Sequence, residues 1–151
     1  MKNTLIILFT VCALLSCKKK NDDITKETLS GKWTTSGYTI TLYNSSNTIV
    51  SQVVTDAIKT YWTFSDTQIS LSTDNYVMPR SADYTLTNTL NTRRLHISTT
   101  EIAMYTDWEI TEQTDNLIVL STDVTDKNML NYGNGQVAAR GKIIIRLTKV
   151  N

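Results

Sequence analysis

Cysteine, histidine, proline and glycine are all scarce in this chain of 151 residues, which contains 2 Cys, 1 His, 1 Pro and 5 Gly. The two cysteines, Cys12 and Cys17, lie near the N-terminus, which excludes a disulfide scaffold and a cysteine-rich metal site for the rest of the chain. Gly133-Asn134-Gly135 is too poor in glycine and basic residues to hold a phosphate group. We therefore expect no cofactor and no metal.

A large charge of either sign is also missing, because 15 Lys and Arg stand against 14 Asp and Glu. Proteins that bind nucleic acids carry an excess of basic residues, so the balance argues against a nucleic-acid partner. Runs of Ala, Leu, Glu and Lys, which are typical of long helices, are few. Threonine is abundant, with 26 residues, and together with β-branched and aromatic residues it favours strands.

The N-terminus carries one apolar run, from Leu5 to Leu15, behind the positive charge of Lys2. A helix needs about 20 apolar residues to cross a bilayer, so this run is too short to span one and is typical of a signal peptide. It ends in Leu14-Leu15-Ser16-Cys17, with a small residue directly before a cysteine. We predict that residues 1–16 form a signal peptide that is removed and that Cys17 is part of the cleavage signal. The alternative is an ordinary secretory signal that is followed by a cysteine by chance.

Leu14-Leu15-Ser16-Cys17 resembles the lipobox of bacterial lipoproteins. The resemblance implies a diacylglyceryl group on the thiol of Cys17 and cleavage after Ser16, which leaves a lipid-anchored protein of the bacterial envelope. The charged segment Lys18–Asp23 is similar to export signals that send lipoproteins to the cell surface. The alternative is that it serves only as a solvated spacer. We expect residues 17–27 to be a flexible tether and the protein to be held at the outer membrane, with its surface exposure left open.

Residues 28–151 form one predicted domain of short strands, separated by turns rich in Asn, Asp and Ser. The predicted strands are 33–43, 48–54, 60–64, 68–72, 82–87, 94–98, 104–111, 117–120 and 142–150. Val50–Ile58 also fits a short helix. Trp33 is out of phase with Tyr38, Ile40 and Leu42, which predicts a bulge near Ser36-Gly37. Residues 126–141 are expected to be a long loop.

Three short stretches resemble lipocalins and the lipocalin-like domains of bacterial lipoproteins. They are Leu29-Ser30-Gly31-Lys32-Trp33, Tyr61-Trp62-Thr63-Phe64-Ser65-Asp66 and Arg146-Leu147-Thr148-Lys149, to which Trp108-Glu109-Ile110 can be added. The resemblance implies an all-β fold, an antiparallel up-and-down barrel of about eight strands. It also implies that Trp33, after Gly31, plugs the barrel base with Arg146 over its ring. The chain lacks the disulfide and the C-terminal helix of the classical family, and a β-sandwich is the alternative fold.

Aromatic residues recur on the predicted strands and form the candidate ligand site. The five candidates are Tyr38, Trp62, Phe64, Tyr84 and Trp108, in a larger set with Tyr61 and Tyr105. If the barrel is hollow, these side chains predict a pocket for a small apolar or amphipathic ligand. If it is filled, they are core, and the protein is a structural or interaction module at the envelope.

Catalytic patterns are missing. His96 could form a set with Asp107 or Glu101, yet it alternates with Leu95 and Ile97, which indicates a solvated strand face. No serine lies in a nucleophile-elbow pattern. The oxygens of Asp123–Asn128 lack the glycine and the distal glutamate of a calcium loop. We therefore expect a protein without enzymatic activity.

Overall fold

The structure is a computed structural model, and it describes residues 24–55, 59–74, 78–90 and 92–151. The predicted signal peptide and Cys17 lie outside the described residues. The strands are β1 (Gly31–Tyr43), β2 (Ile49–Thr55), β3 (Thr60–Phe64), β4 (Gln68–Thr73), β5 (Arg80–Asn88), β6 (Arg93–Ile97), β7 (Asp107–Gln113), β8 (Leu117–Asp123), β9 (Asn131–Gly133), β10 (Gln136–Val137) and β11 (Arg140–Lys149). A helix, α1 (Lys26–Leu29), precedes β1, and a 3-10 turn (Lys127–Leu130) lies between β8 and β9. No helix of the described residues is long and apolar enough to cross a membrane.

The sheet closes into a barrel. Each of β3 to β8 pairs with its neighbour in an antiparallel meander, β11 pairs with β8, and β1 joins β11 to β3. Eight strands therefore make the closed wall, and β2 lies outside this closed ring at the end of the sheet. The predicted antiparallel up-and-down barrel is confirmed, and the β-sandwich is excluded because β1 pairs with β11 from Trp33 to Tyr43 and so closes the sheet on itself.

Strand β1 has two partners on one of its edges. Its first half, Gly31–Thr34, pairs with β3, and its second half, Tyr38–Tyr43, pairs with β2. Strands β2 and β3 therefore lie one after the other along the same edge of β1. The register along β11 shifts between Thr35 and Gly37, so the predicted bulge is present. The extra residue lets Trp33 and Tyr38 both face the interior.

The base of the barrel is closed by the segment before β1. Thr25 caps α1 in a reciprocal capping box with Thr28, and Leu29 at the end of the helix is buried. Ile24 is buried as well, and its carbonyl accepts a hydrogen bond from the Asn88 side chain at the end of β5. The packed domain therefore includes Ile24, and the predicted boundary between a tether at 17–27 and a domain at 28–151 is wrong.

Trp33 is fully buried above this base, and its indole N–H donates to the Leu29 carbonyl at 2.8 Å. The cation over its ring is Lys149, at 5.3 Å from the ring centre, and not Arg146 as the resemblance implied. Ile145 and Leu147 face the core, so the alternation of β11 turns Arg146 outward, against Gly37. Lys149 is in phase with the inward set and lies opposite Trp33 on β1.

The two ends of the barrel differ in the length of their connections. At the base, short turns follow β3, β5 and β7, whereas the loops after β6 and β8 at the other end, which we call the top, are long. The predicted loop 126–141 holds the 3-10 turn and the small hairpin of β9 and β10. Asp126 caps that turn by accepting from the Asn128 N–H at 2.8 Å. The strands and the core that the structure describes lie within residues 24–151.

Candidate functional site

A cavity of about 580 Å³ occupies the top half of the barrel and opens to solvent. Inward side chains of β1, β3, β4, β7 and β11 form its walls, and residues 101–105 of the β6–β7 loop lie along its upper side. The volume is within the range of about 300–1,000 Å³ that is typical of small-molecule sites. The barrel is thus hollow at the top and filled at the base.

Trp62 and Trp108, two of the predicted aromatics, form the floor of the cavity. Their rings meet edge to face with centres 6.3 Å apart, a favourable aromatic geometry. Trp62 lies opposite Trp33 on the neighbouring strand β1, and both belong to the buried core. The indole N–H of Trp108 donates to the Tyr105 carbonyl at 3.0 Å. The floor therefore presents apolar ring surface without an unsatisfied donor from Trp108.

Tyr38, a third predicted residue, also lines the cavity, with Tyr105 nearby. Burial of the Tyr38 side chain, together with the proximity of Tyr105, raises the pKa of its phenol above the ordinary value. The hydroxyl is therefore neutral at physiological pH. It has no hydrogen-bond partner among the described residues, whereas the Tyr105 hydroxyl donates to the Met129 sulfur. Tyr38 can thus offer a neutral donor to a ligand.

The other two predicted residues, Phe64 and Tyr84, are outside the cavity, and their placement in the candidate site is corrected. Their rings pack edge to face with centres 5.5 Å apart in the base core. The Tyr84 hydroxyl donates to the Ser65 carbonyl in the turn after β3. Both side chains do point inward, as the alternation predicted. Their height along the barrel axis depends on the stagger between strands, which the alternation of one strand does not contain.

The sequence interpretation missed the mouth of the cavity. Met78 and Met104 lie there as largely exposed apolar side chains, and Ile102 and Ala103 lie deeper in the wall. The signal was the apolar run Ile102-Ala103-Met104 in a segment with no clear strand alternation. Methionine side chains adapt to ligands of different shape, which suits the rim of a binding site.

Two charged residues of opposite sign also line the cavity, Arg80 and Glu101. The Arg80 guanidinium donates to the Glu101 carbonyl at 3.1 Å and so ties β5 to the β6–β7 loop across the mouth. Both residues are exposed to solvent. The other lining residues are apolar, aromatic or small and hydroxyl-bearing, and the last group consists of Thr35, Thr55, Thr60, Ser72 and Thr73. Charge is therefore confined to the mouth.

His96 and Asp107 lie on the outer wall, away from the cavity, on neighbouring strands β6 and β7. The His96 Nδ1 and Asp107 Oδ1 atoms are 2.8 Å apart, and the Thr106 hydroxyl donates to the second Asp107 oxygen at 2.8 Å. These two hydrogen bonds lower the pKa of the Asp107 carboxyl. Both side chains are well exposed, so the pair contributes at most about 1 kcal/mol.

In the part of the chain that the structure describes, no group of three or more His, Cys, Asp or Glu side chains could hold a metal ion. Comparisons with protein-family models, with curated proteins and with solved structures found no match to this chain.

Proposed function

We propose that the barrel binds one small apolar or amphipathic molecule in the cavity above Trp62 and Trp108. The proposal rests on the cavity itself, which has a volume of about 580 Å³, is open to solvent and is lined mainly by apolar and aromatic side chains. A barrel that served only as an interaction surface would gain stability from filling this space, because empty volume forfeits packing contacts. The filled-core module therefore becomes the alternative that the binding experiment tests.

The arrangement of polar groups supports an amphipathic ligand. The floor and walls are apolar, the Tyr38 hydroxyl is available partway up, and Arg80 and Glu101 stand at the mouth. An apolar body would therefore enter first, with its polar end left near solvent. The proposal gives the chain no catalytic role, which is supported by the position of His96 and Asp107 on the outer wall.

The proposal includes a lipid anchor at Cys17 in the bacterial envelope, at the outer membrane. It is supported by the sequence Leu14-Leu15-Ser16-Cys17 after an apolar run that is too short to span a bilayer. Single acyl chains bind membranes only marginally, whereas two or more hold a protein stably. The membrane is thus the one proposed partner, and a protein partner is left unassigned.

Ligand binding can be tested by titrating an uncharged, environment-sensitive fluorescent probe into a protein of residues 24–151. We expect saturable binding that is insensitive to salt, since screening acts on charges and not on apolar contact. Trp62→Ala should weaken binding about tenfold or more, because it removes the ring surface of the floor. Ala103→Trp should weaken it as well, by filling the cavity.

The matched control is Tyr61→Ala. Tyr61 neighbours Trp62 on β3, but its ring lies on the outer wall with Lys32 and Lys59 over it. This variant should bind the probe as the unchanged protein does. A folded protein that shows no saturable binding of acyl, aromatic or sterol-like probes would favour the filled-core module instead.

The anchor can be tested by feeding cells labelled palmitate and comparing the full chain with its Cys17→Ala variant. Cys12 precedes the predicted cleavage site, so Cys17 is the only thiol in the processed protein. We expect the variant to lose all of the label. The Cys12→Ala variant is the control and should keep it. Equal label in the full chain and in Cys17→Ala would refute the anchor.

A further inference from the structure

Strand β2 has one strand partner in the described part of the chain, which is β1. It is the last strand in the order of the sheet, with β1 on one side. The next strand along the chain, β3, pairs with β1 and β4 and not with β2. Its outer edge therefore presents backbone N–H and C=O groups that no described strand pairs. Such an edge is a template for pairing with another strand.

The side chains of β2 do not protect this edge. The strand reads Ile-Val-Ser-Gln-Val-Val-Thr and contains neither charge nor proline, the devices that commonly block strand pairing. Three of its apolar side chains are strongly exposed: Ile49 at 53 %, Val53 at 49 % and Val54 at 71 %. The described residues therefore leave these three side chains largely uncovered. An exposed apolar edge of this kind indicates an interaction surface.

We propose that two copies of this chain pair through their β2 edges, antiparallel about a two-fold axis at Gln52. In this register Val54 lies opposite Val50 of the second copy on the outer face, and Val53 lies opposite Ser51 on the face toward the cavity. Each contact occurs twice, as two-fold symmetry requires. The wall of each barrel then continues across the interface into the other.

A second copy fits the edge better than a lipid surface does. Unpaired backbone groups that become buried need hydrogen-bond partners, and acyl chains offer none. Each copy carries the same unpaired edge, so one pairing satisfies both strands. Because residues 49–55 carry no charge, the two identical strands meet without like-charge repulsion across the axis.

The pairing would also place the second copy beside the cavity. Thr55 at the end of β2 lines the cavity, and Val53 two residues earlier faces the same side. The edge of the second copy would therefore border the mouth on the side where β2 has no neighbour. The contact at the mouth follows from the strand pairing, and the dimer itself does not depend on a ligand.

The first test measures the molar mass of residues 24–151 by light scattering and by sedimentation over a wide concentration range. We expect a concentration-dependent monomer–dimer equilibrium. Val54→Lys adds a charge near the axis in each copy and should raise the dimer dissociation constant at least about tenfold. The matched control is Val137→Lys, an equally apolar residue that is 63 % exposed on β10, which pairs with β9 and not with β2. It should leave the equilibrium unchanged.

The second test probes the register with a single cysteine in a protein that otherwise has none. Gln52→Cys should form a disulfide-linked dimer on mild oxidation, because the axis brings the two copies of residue 52 together. Thr87→Cys, at an exposed position of β5, should not. A folded wild type that stays monomeric, a dimer that Val54→Lys leaves intact, or a dimer in which Gln52→Cys does not cross-link would each overturn the proposal.

Discussion

Replacing Trp33 by alanine is expected to lower the free energy of unfolding of residues 24–151 by about 3–5 kcal/mol. The side chain is fully buried, pairs with Trp62 across the sheet and donates its indole N–H to the Leu29 carbonyl. Alanine would leave a large void between the base helix and the cavity floor, and it would leave the carbonyl without its donor. Urea unfolding measures the loss.

Trp33→Phe is the companion variant, because it keeps most of the apolar surface and removes the hydrogen bond. We expect a smaller loss, of about 1–3 kcal/mol, from the unpaired carbonyl and the reduced volume. The two variants together separate the packing contribution from that of the hydrogen bond. A loss below about 1 kcal/mol for the alanine variant would mean that Trp33 is not a core residue at the base.

Gly141→Ala is expected to destabilise the barrel by about 1–3 kcal/mol, through overpacking. Gly141 begins the inward face of β11 at the top, where a Cβ atom would come within 2.7 Å of Leu42 Cδ2 and 2.8 Å of Val124 Cγ2. Both neighbours are buried, and the β-branched Val124 has little freedom to rotate away. The strands would have to move apart, and urea unfolding reports the cost.

Gly37→Ala is the matched control on β1. There the new Cβ would meet only the Arg146 side chain, at 3.7 Å or more, which is an ordinary contact distance. Alanine should be neutral or slightly stabilising at this position, since it restricts the unfolded chain. If both glycine variants lose the same stability, the close approach at Gly141 is not the cause.

The strands and their faces could be predicted because alternation of apolar and polar residues is a local property. Leu95 and Ile97 on β6, or Ile143 and Leu147 on β11, show their buried face within a few residues. The bulge before Gly37 was predictable for the same reason, since Trp33 and Tyr38 differ in phase. The same alternation places Arg146 on the outward face, whereas the resemblance to lipocalins implied that it lies over Trp33.

The division of the interior into core and cavity could not be predicted in this way. Phe64 and Trp62 are two residues apart on β3 and both face inward, yet one lies in the base and the other borders the cavity. Their heights depend on the stagger of eight strands around the barrel, which is a long-range property. The mouth was missed for a related reason, because loop residues such as Met104 show no period.

The chain enters the barrel at the base, where Ile24 and Leu29 close it, whereas the cavity opens at the top. Under the proposed anchor, Cys17 lies seven residues before Ile24, a span of at most about 25 Å. The lipid would thus hold the sealed end of the barrel close to its own bilayer and turn the open end away from it. Such an orientation favours capture of molecules from the surrounding aqueous phase or a facing surface over extraction from the membrane that carries the protein.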